Sequence, residues 1–284
     1  MKELTPTEIK KIQIDMLEEV KTFCEMHGLN YYLSGGTLLG AVRHKGYIPW
    51  DDDIDLMMPR KDYEWFLIHY RNEMYSVHTV ELGEERPLAM MFMKNNTKLT
   101  DLSGSPYDVA EHLYIDIFPI DNLSNNKVIR NFLCLVKELL IYCYDGALLE
   151  YKSTMRYNDR SAGLFSWKRR VRNIVKYIFI TFFRHTSSGF WGRLAHQLSK
   201  FYAHRDTKWK GVMITQAHHN HGLGELLPAK FFEDKVLLEF ESKLYSAPVG
   251  YEKYLSSLFG NYMQLPPEEK RISHHDFRVF MEDL

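Results

Sequence analysis

Four aspartates stand at positions 51–53 and 55, and the apolar run Leu56–Pro59 follows them directly. Burying an unpaired carboxylate costs free energy, so acidic clusters normally lie in solvent. If this segment is a strand, its side chains alternate, so that Asp53 and Asp55 share one face while Ile54 enters the core. Two carboxylates on one face repel each other unless a cation lies between them. Mg²⁺, or Mn²⁺ in its place, suits this position because both ions prefer oxygen ligands.

A solvated turn and a calcium loop are the alternatives to a magnesium site in the acidic cluster. A solvated acidic turn would hold no ion. The aspartates at 53 and 55 alternate with apolar residues, which argues against such a turn. A calcium loop beginning at Asp51 is excluded, because its sixth residue would be Leu56 instead of glycine and its twelfth Asp62 instead of glutamate. Asp51 and Asp52 lie nearer to the turn, beside Trp50, so we expect them to orient the metal ligands or to face solvent.

A glycine pair lies ahead of the aspartates, between a short predicted strand at 30–33 and a brief predicted helix. Backbone N–H groups at a helix N-terminus bind anions, and glycine lets the backbone approach a phosphate closely. The segment lacks the features of a P-loop or a dinucleotide fingerprint. The prediction of a phosphate-binding site therefore depends on the aspartates that follow. A surface basic pair is the alternative for the arginine and histidine at the end of the helix. The candidate phosphate-binding residues are Ser34, Gly35, Gly36, Thr37, Arg43 and His44.

These residues together resemble a known family. A glycine pair, then Asp-x-Asp among apolar residues, then a later aspartate flanked by apolar residues is similar to the nucleotidyltransferase superfamily that includes the β-type DNA polymerases. More specifically, three blocks spread over about residues 30–275 resemble the LicD family. The blocks are GGTLLGAVRHKGYIPWDDDIDLMMPRKDYEWF at 35–66, HLYIDIFPIDNL at 112–123 and FESKLYSAPVGYEKYLSSLFGNYMQLPP at 240–267.

The resemblance implies a Mg²⁺-dependent transfer of a substituted phosphate from a CDP-activated donor to a sugar hydroxyl. LicD-like proteins are implicated in attaching phosphocholine from CDP-choline to teichoic acid or lipopolysaccharide, and fukutin-type relatives transfer ribitol phosphate from CDP-ribitol. The resemblance also implies that Asp53, Asp55 and a third carboxylate are catalytic and hold two metal ions. Asp116 has the matching context within the alternating segment 112–118. The alternative role for Asp116 is to accept a local hydrogen bond.

Two other functions stay open. With the same fold, the protein could be a nucleotidyltransferase that makes an NMP adduct, or a nucleotide-binding regulatory protein without turnover. The intact aspartates argue against a regulatory protein. His218–His221 could bind zinc, but no partner has a supporting spacing, and a polar loop is expected instead. His274–His275 is either a substrate contact or a surface pair.

The pattern of elements predicts an α+β fold with one core sheet and a helical insertion. The resemblance implies that this core is a nucleotidyltransferase-like mixed β-sheet flanked by helices. Thr5-Pro6-Thr7-Glu8 is a capping box that begins a helix, and Gly28 is expected to end it. We expect a single domain over 1–284 that ends in helices. Its core is predicted at 28–125 and 230–275, with a helical insertion at about 126–230.

Composition excludes several classes of protein. The 284 residues are 45% hydrophobic and 26% charged, which is ordinary for a soluble globular protein. A net charge of -1 argues against nucleic acid as a partner. Three widely spaced cysteines predict reduced thiols in a cytoplasm, and the polar N-terminus predicts no secretory signal.

A basic stretch at 166–184 indicates where the protein works. From Arg160 to Arg205 there are ten Lys or Arg residues and no Asp or Glu. Basic residues interleaved with aromatic ones can lie on an anionic membrane surface. We therefore expect a cytoplasmic protein with peripheral contact to the inner face of the membrane, where a lipid-linked glycan acceptor would be found. The alternative is a helix packed on the core with a solvated basic face.

Overall fold

The computed structural model describes residues 1–102, 110–148, 178, 181–214, 225–271 and 277–282, and their fold is α+β. The α-helices are α1 (Pro6–His27), α2 (Gly35–His44), α3 (Arg60–His69), α4 (Lys127–Leu148), α5 (Ser188–Ser199) and α6 (Tyr251–Phe259). The strands are β1 (Lys2–Glu3), β2 (Tyr32–Leu33), β3 (Asp55–Pro59), β4 (Tyr75–His78), β5 (Met90–Lys94), β6 (Thr97–Asp101), β7 (Tyr114–Leu123), β8 (Trp209–Val212), β9 (Leu226–Pro228), β10 (Lys235–Phe240), β11 (Lys243–Pro248) and β12 (Phe277–Met281).

Helix α1 begins and ends where the sequence predicts. Thr5 Oγ1 accepts a hydrogen bond from the Glu8 N–H at 3.3 Å, and Glu8 Oε2 accepts one from the Thr5 N–H at 2.8 Å. Gly28 ends the helix in the left-handed conformation, with φ 65°, which glycine adopts without a Cβ clash. The apolar stripe of α1 packs on the main core, where Met16 and Leu17 are fully buried.

Within the described residues, β7 is the centre of a seven-stranded mixed sheet whose main order is β2-β3-β7-β5-β4. Strand β3 runs parallel to β7 on one side. On the other side, β5 pairs antiparallel with the first half of β7, and β8 pairs antiparallel with the second half. The parallel pair places the beginnings of β3 and β7 at the same edge of the sheet, which is where the predicted aspartates lie.

One face of this sheet forms the core beneath α1 and α3. Leu56, Ile115 and Phe92 are fully buried there. The alternation predicted for the first acidic strand is confirmed, because Ile54 is buried while its neighbours Asp53 and Asp55 are half-buried. The opposite face is therefore the one that presents the polar residues.

The range predicted as a helical insertion, 126–230, is helical only in part. Helices α4 and α5 pack together, with Tyr144 and Ala195 in their shared apolar cluster. Strands β8 and β9 also lie inside this range and belong to the main sheet, so the helical prediction was wrong there. Both strands are too short, at four and three residues, to give a readable alternation.

The prediction of a helical C-terminus was wrong as well, since β12 pairs with β1 and β6. The assignment of one domain stays a prediction.

A buried ion network joins α3, β7 and α5. The Arg60 guanidinium donates to both carboxylate oxygens of Asp121, at 2.7 and 3.0 Å, and Asp121 is fully buried. Glu81 accepts from Arg60 Nη1 at 3.3 Å and lies 2.8 Å from Nδ1 of His196 on α5. Burial opposes these charges, yet Asp121 and Glu81 raise the pKa of Arg60. Likewise His196 and Arg60 overcome burial and hold the pKa of Glu81 at about 2. The network fastens the inserted helix to the sheet.

Two expectations concern the surroundings of the protein. Across the described ranges, no helix is both long enough and apolar enough to cross a membrane. Of the basic stretch 166–184, only 178 and 181–184 are described, so the expected membrane contact lies outside the described residues. The prediction of reduced thiols is confirmed in that Cys24, Cys134 and Cys143 are all buried and form no disulfide.

We expect Asp121→Asn to lower the free energy of unfolding by about 3 kcal/mol, because it leaves the buried Arg60 charge with only its longer contact to Glu81. Urea denaturation measures this loss. Glu64→Gln is the matched control, since Glu64 contacts Lys200 at the half-exposed edge of the same region and should cost at most about 1 kcal/mol. Equal losses for the two variants would contradict the assignment of Asp121 as the anchor of the network.

Candidate active site

The parallel pairing of β3 with β7 brings two predicted site residues together. Asp55 and Asp116 are register partners, so their side chains lie on the same face of adjacent strands. The Asp116 N–H donates to the Ile54 carbonyl at 3.0 Å, and the Ser34 N–H donates to the Asp55 carbonyl at 3.0 Å. Because neighbouring strands are only about 4.8 Å apart, the two carboxylates are held within range of strong repulsion.

The other three aspartates form a half-buried turn in front of β3. Asp51, Asp52 and Asp53 each have a carboxylate oxygen within 4.8 Å of those of the other two. The turn is anchored to α1, because Gln13 Nε2 donates to the Asp52 carbonyl at 2.9 Å. Asp51 and Asp52 were expected near the metal ligands or in solvent, and the structure brings both beside Asp53.

The glycine pair at the start of α2 packs directly against this acidic turn. Gly35 has φ +47°, and a Cβ at this position would lie 2.7 Å from Oδ2 of Asp55. A Cβ on Gly36 would lie 2.7 Å from Oδ2 of Asp51. A side chain at either position would force the helix or the facing carboxylate to move, so glycine allows this close approach. The positive end of the α2 dipole consequently meets the acidic cluster.

Two predicted phosphate-binding hydroxyls are engaged inside the protein. The Ser34 hydroxyl is buried and shares a 3.0 Å hydrogen bond with the Tyr254 hydroxyl. Thr37 is also buried, and its Oγ1 accepts from the Asp55 N–H at 2.8 Å. Both hydroxyls hold the strand and helix termini in position. Their role in binding phosphate stays a prediction.

Arg43 and His44 lie at the other end of α2, roughly 10 Å along the helix from the glycine pair. Arg43 Nη1 donates to the Tyr262 carbonyl at 2.8 Å, and its Nε donates to His44 Nε2 at 2.9 Å. The ring of His44 lies 6.3 Å from that of Trp50, edge to face. The Arg271 guanidinium also lies 5.7 Å from the Trp50 ring. These residues thus form a basic, aromatic group at the end of α2 away from the glycine pair.

The carboxylates change one another's acidity. Burial first, and then the charges of Asp53, Asp116 and Asp51, raise the pKa of Asp55 well above its usual value. Burial also raises the pKa of Asp51 to about 8, with further contributions from Asp53 and Asp52 that Lys10 partly offsets. Ionised carboxylates so close together need a cation, and hard divalent ions such as Mg²⁺ bind carboxylate oxygens. Carboxylate oxygens are thus suitable donors for the predicted ion, but the three aspartates among the described residues whose oxygens lie within 4.8 Å of one another are Asp51, Asp52 and Asp53. Binding of the ion by Asp53, Asp55 and Asp116 stays a prediction.

Sequence reasoning missed a further carboxylate, Glu225, which immediately precedes β9. Its side chain is buried, and burial raises its pKa to about 8, although the charge of Lys137 on α4 lowers it. Glu225 also contributes to the raised pKa of Asp55, so it lies close to the cluster. No spacing signal marks it, because tertiary contact alone brings this part of the chain to the site. His218–His221 and His274–His275 lie outside the described residues.

Comparison with known proteins finds a family match that covers this site. Residues 28–138, which include the glycine pair and the aspartates, match the family described as LicD/FKTN/FKRP, nucleotidyltransferase domain. The match covers less than half of the 284 residues. It confirms the resemblance noted in the sequence, and the matched segment contains α2, β3 and β7 with the whole predicted metal-binding set.

Two transferases are among the proteins to which this chain is similar. The chain is 28% identical over 284 residues to the lipopolysaccharide cholinephosphotransferase LicD of Haemophilus influenzae, with 97% of each chain covered. It is 30% identical over 95 residues to the human ribitol 5-phosphate transferase FKRP, which is 34% of this chain and 17% of that protein. An uncharacterized protein of Rickettsia prowazekii is 32% identical over 68 residues, which is 21% of this chain and 26% of that protein. By their names, the first two relatives transfer phosphate-containing groups.

The raised pKa of Asp51 predicts how metal-free stability depends on pH. The folded-state pKa lies above the unfolded value, so the contribution of Asp51 to stability should fall as the pH rises from about 4 to about 8. Asp51→Asn does not titrate, so in EDTA the variant should gain up to about 4 kcal/mol, or roughly 7 °C in Tm, relative to wild type between pH 5 and pH 8. Thermal unfolding measures this difference.

Asp15→Asn, at an exposed position of α1, is the control for the loss of one negative charge. Its Tm difference from wild type should stay smaller than that of Asp51→Asn throughout this pH range. A pH-independent difference for Asp51→Asn would show that Asp51 does not share in the repulsion.

Proposed function

We propose that this protein is a Mg²⁺-dependent phosphotransferase that moves a substituted phosphate from a CDP-alcohol to a hydroxyl of a cell-surface glycan precursor. Phosphocholine from CDP-choline is the favoured group, since the relative that matches along nearly the whole chain is named a lipopolysaccharide cholinephosphotransferase. The observation that carries the proposal is the register pairing of Asp55 with Asp116 beside the acidic turn and the N-terminus of α2. Teichoic acid and capsule precursors are the other acceptor classes.

The reaction is a substitution at phosphorus. An acceptor hydroxyl oxygen bonds to the phosphorus of phosphocholine, the bond from that phosphorus to the bridging oxygen breaks, and CMP leaves with the bonding electron pair. The products are the phosphocholine ester of the acceptor, CMP and one proton, which a carboxylate of the cluster can accept. A bound divalent ion supplies charge stabilisation at the attacking and leaving oxygens. Asp53, Asp55 and Asp116 orient it, and the backbone N–H groups of α2 face the donor phosphates.

The proposed function includes further predictions from the sequence, on the fold, the acceptor and the exclusion of nucleic acid. It includes a nucleotidyltransferase-like fold, which the mixed sheet with its acidic edge supports. It also includes an acceptor presented on a lipid at the inner face of the membrane, reached through the basic stretch 166–184. Composition supports the exclusion of nucleic acid as a substrate.

A nucleotidyltransferase that makes an NMP adduct is the second candidate, because the same carboxylates would serve that chemistry. The two reactions leave different products. Free CMP recovered from the reaction supports phosphocholine transfer, whereas radiolabelled nucleotide on the acceptor supports the adduct. An absence of both products with every acceptor would favour a nucleotide-binding regulatory protein.

We expect Asp53→Asn, Asp55→Asn and Asp116→Asn each to abolish CMP release from CDP-choline. Each should leave metal-free stability unchanged or slightly higher, because removing one charge relieves repulsion. Chromatographic detection of CMP and thermal unfolding in EDTA measure the two effects, with Asp15→Asn as the charge-matched control. A destabilised but active Asp116→Asn would identify that residue as a structural hydrogen-bond acceptor.

The donor assignment predicts a ranking of ligands in thermal-shift experiments with Mg²⁺. CDP-choline should stabilise the protein more than CDP does, since choline adds contacts of its own. A ligand at 100 times its Kd stabilises by about 2.7 kcal/mol. Equal shifts for CDP-choline and CDP would rule out choline recognition, and a larger shift with CDP-glycerol or CDP-ribitol would name a different donor.

A further inference from the structure

The residues beside Asp116 form one transverse row across the polar face of the sheet. Asp55 pairs with Asp116, Asp116 pairs with Met91 of β5, and Met91 pairs with His78 of β4. Register partners point to the same side of a sheet, so all four side chains lie on the face that carries the acidic cluster. In the next row, Met93 pairs with Tyr114 in the same way.

This row runs from the acidic cluster into a cavity of about 230 Å³. Met91 and Met93, which are both buried, form its floor. Polar side chains form its rim: Glu84 and His78, whose Oε1 and Nδ1 lie 3.2 Å apart, and the exposed residues Arg86 and Glu111. Strands are about 4.8 Å apart, so Met91 lies roughly 5 Å from Asp116 across the sheet and His78 roughly 10 Å.

The lining matches the chemistry of a sugar. Carboxylates and imidazoles accept hydrogen bonds from hydroxyl groups, and a guanidinium donates to sugar oxygens. The methionine floor offers an adaptable apolar surface for the C–H face of a ring. A quaternary ammonium group prefers aromatic rings, and none of the cavity-lining residues that the structure describes is Phe, Tyr or Trp. The lining therefore favours a sugar over choline.

The position of the cavity also fits an acceptor. Helix α2, with its N–H groups and its basic end, lies on the β2 side of the Asp55–Asp116 pair, whereas the cavity lies on the β4 side. A donor phosphate at α2 and a sugar in the cavity would thus approach the carboxylates from opposite sides. Substitution at phosphorus needs this arrangement, because the attacking and leaving oxygens are roughly in line.

We propose that the cavity floored by Met91 and Met93 is the subsite for the sugar ring of the acceptor. The proposal rests on the function proposed above, and it adds the residues that choose the acceptor. Glu84 and Glu111 are its specificity-determining residues, and the reacting hydroxyl points from the cavity toward Asp116.

The first test needs no turnover. Protein labelled with ¹³C at the methionine methyl groups is titrated with methyl glycosides of glucose, galactose and their N-acetylamino forms, and separately with CDP-choline and Mg²⁺. Met91→Leu and Met93→Leu assign the two signals. Sugar should shift both signals saturably and leave buried Met16 unmoved. Absence of a shift with every sugar, or a shift by CDP-choline alone, would overturn the proposal, the latter by placing the donor alcohol in the cavity.

The second test uses CMP release with a methyl glycoside that the wild type accepts. Glu84→Gln and the exposed Glu111→Gln should each raise the KM for the glycoside tenfold or more, with a smaller change in kcat. Glu73→Gln, an exposed glutamate outside the cavity, should leave both constants unchanged. An unchanged KM in both cavity variants would overturn the proposal. If the wild type releases no CMP at all, the proposed function fails, and the methyl signals decide the subsite by themselves.

Discussion

Repulsion among carboxylates at the shared edge of β3 and β7 is the constraint on which the rest of the structure depends. Burial raises the pKa values of Asp51 and Asp55, and the charge of Asp53 raises both further. The charges of Asp116 and Asp51 add to the shift of Asp55. Such a cluster forms only if the surrounding backbone imposes it. The parallel register of β3 and β7, the closely packed glycine pair and the hydrogen bond from the Asp55 N–H to Thr37 supply that restraint.

Two aspartates of β7 have opposite electrostatic surroundings. Asp121 is fully buried and meets a bidentate guanidinium, so its charge is neutralised within the protein. Asp116, five residues earlier and therefore on the other face, meets further carboxylates instead. The first arrangement fastens α3 and α5 to the sheet, and the second leaves Asp116 beside other carboxylates, where the proposed ion would bind.

Local features were predictable from the sequence because local physics determines them. The capping box and Gly28 define α1, and the alternation around Ile54 separates the half-buried aspartates from the buried core residues. Partners in space were not predictable in this way. Periodicity tells which face a residue occupies but not which strand lies beside it, so the register of Asp55 with Asp116 and the approach of Glu225 both appear only in the fold. The short strands β8 and β9 were missed for the same reason, since their neighbours in the sheet define them.

The position of the metal ion tests the central claim most directly. Crystals grown with Mn²⁺ and CMP, measured on both sides of the manganese absorption edge, locate the ion by its anomalous scattering. We predict a peak on the polar face of the sheet, with oxygens of Asp53, Asp55 and Asp116 at roughly 2.0–2.4 Å and a CMP phosphate oxygen completing the shell. A peak coordinated by Asp51 and Asp52 alone, with Asp116 beyond coordination distance, would contradict the claim.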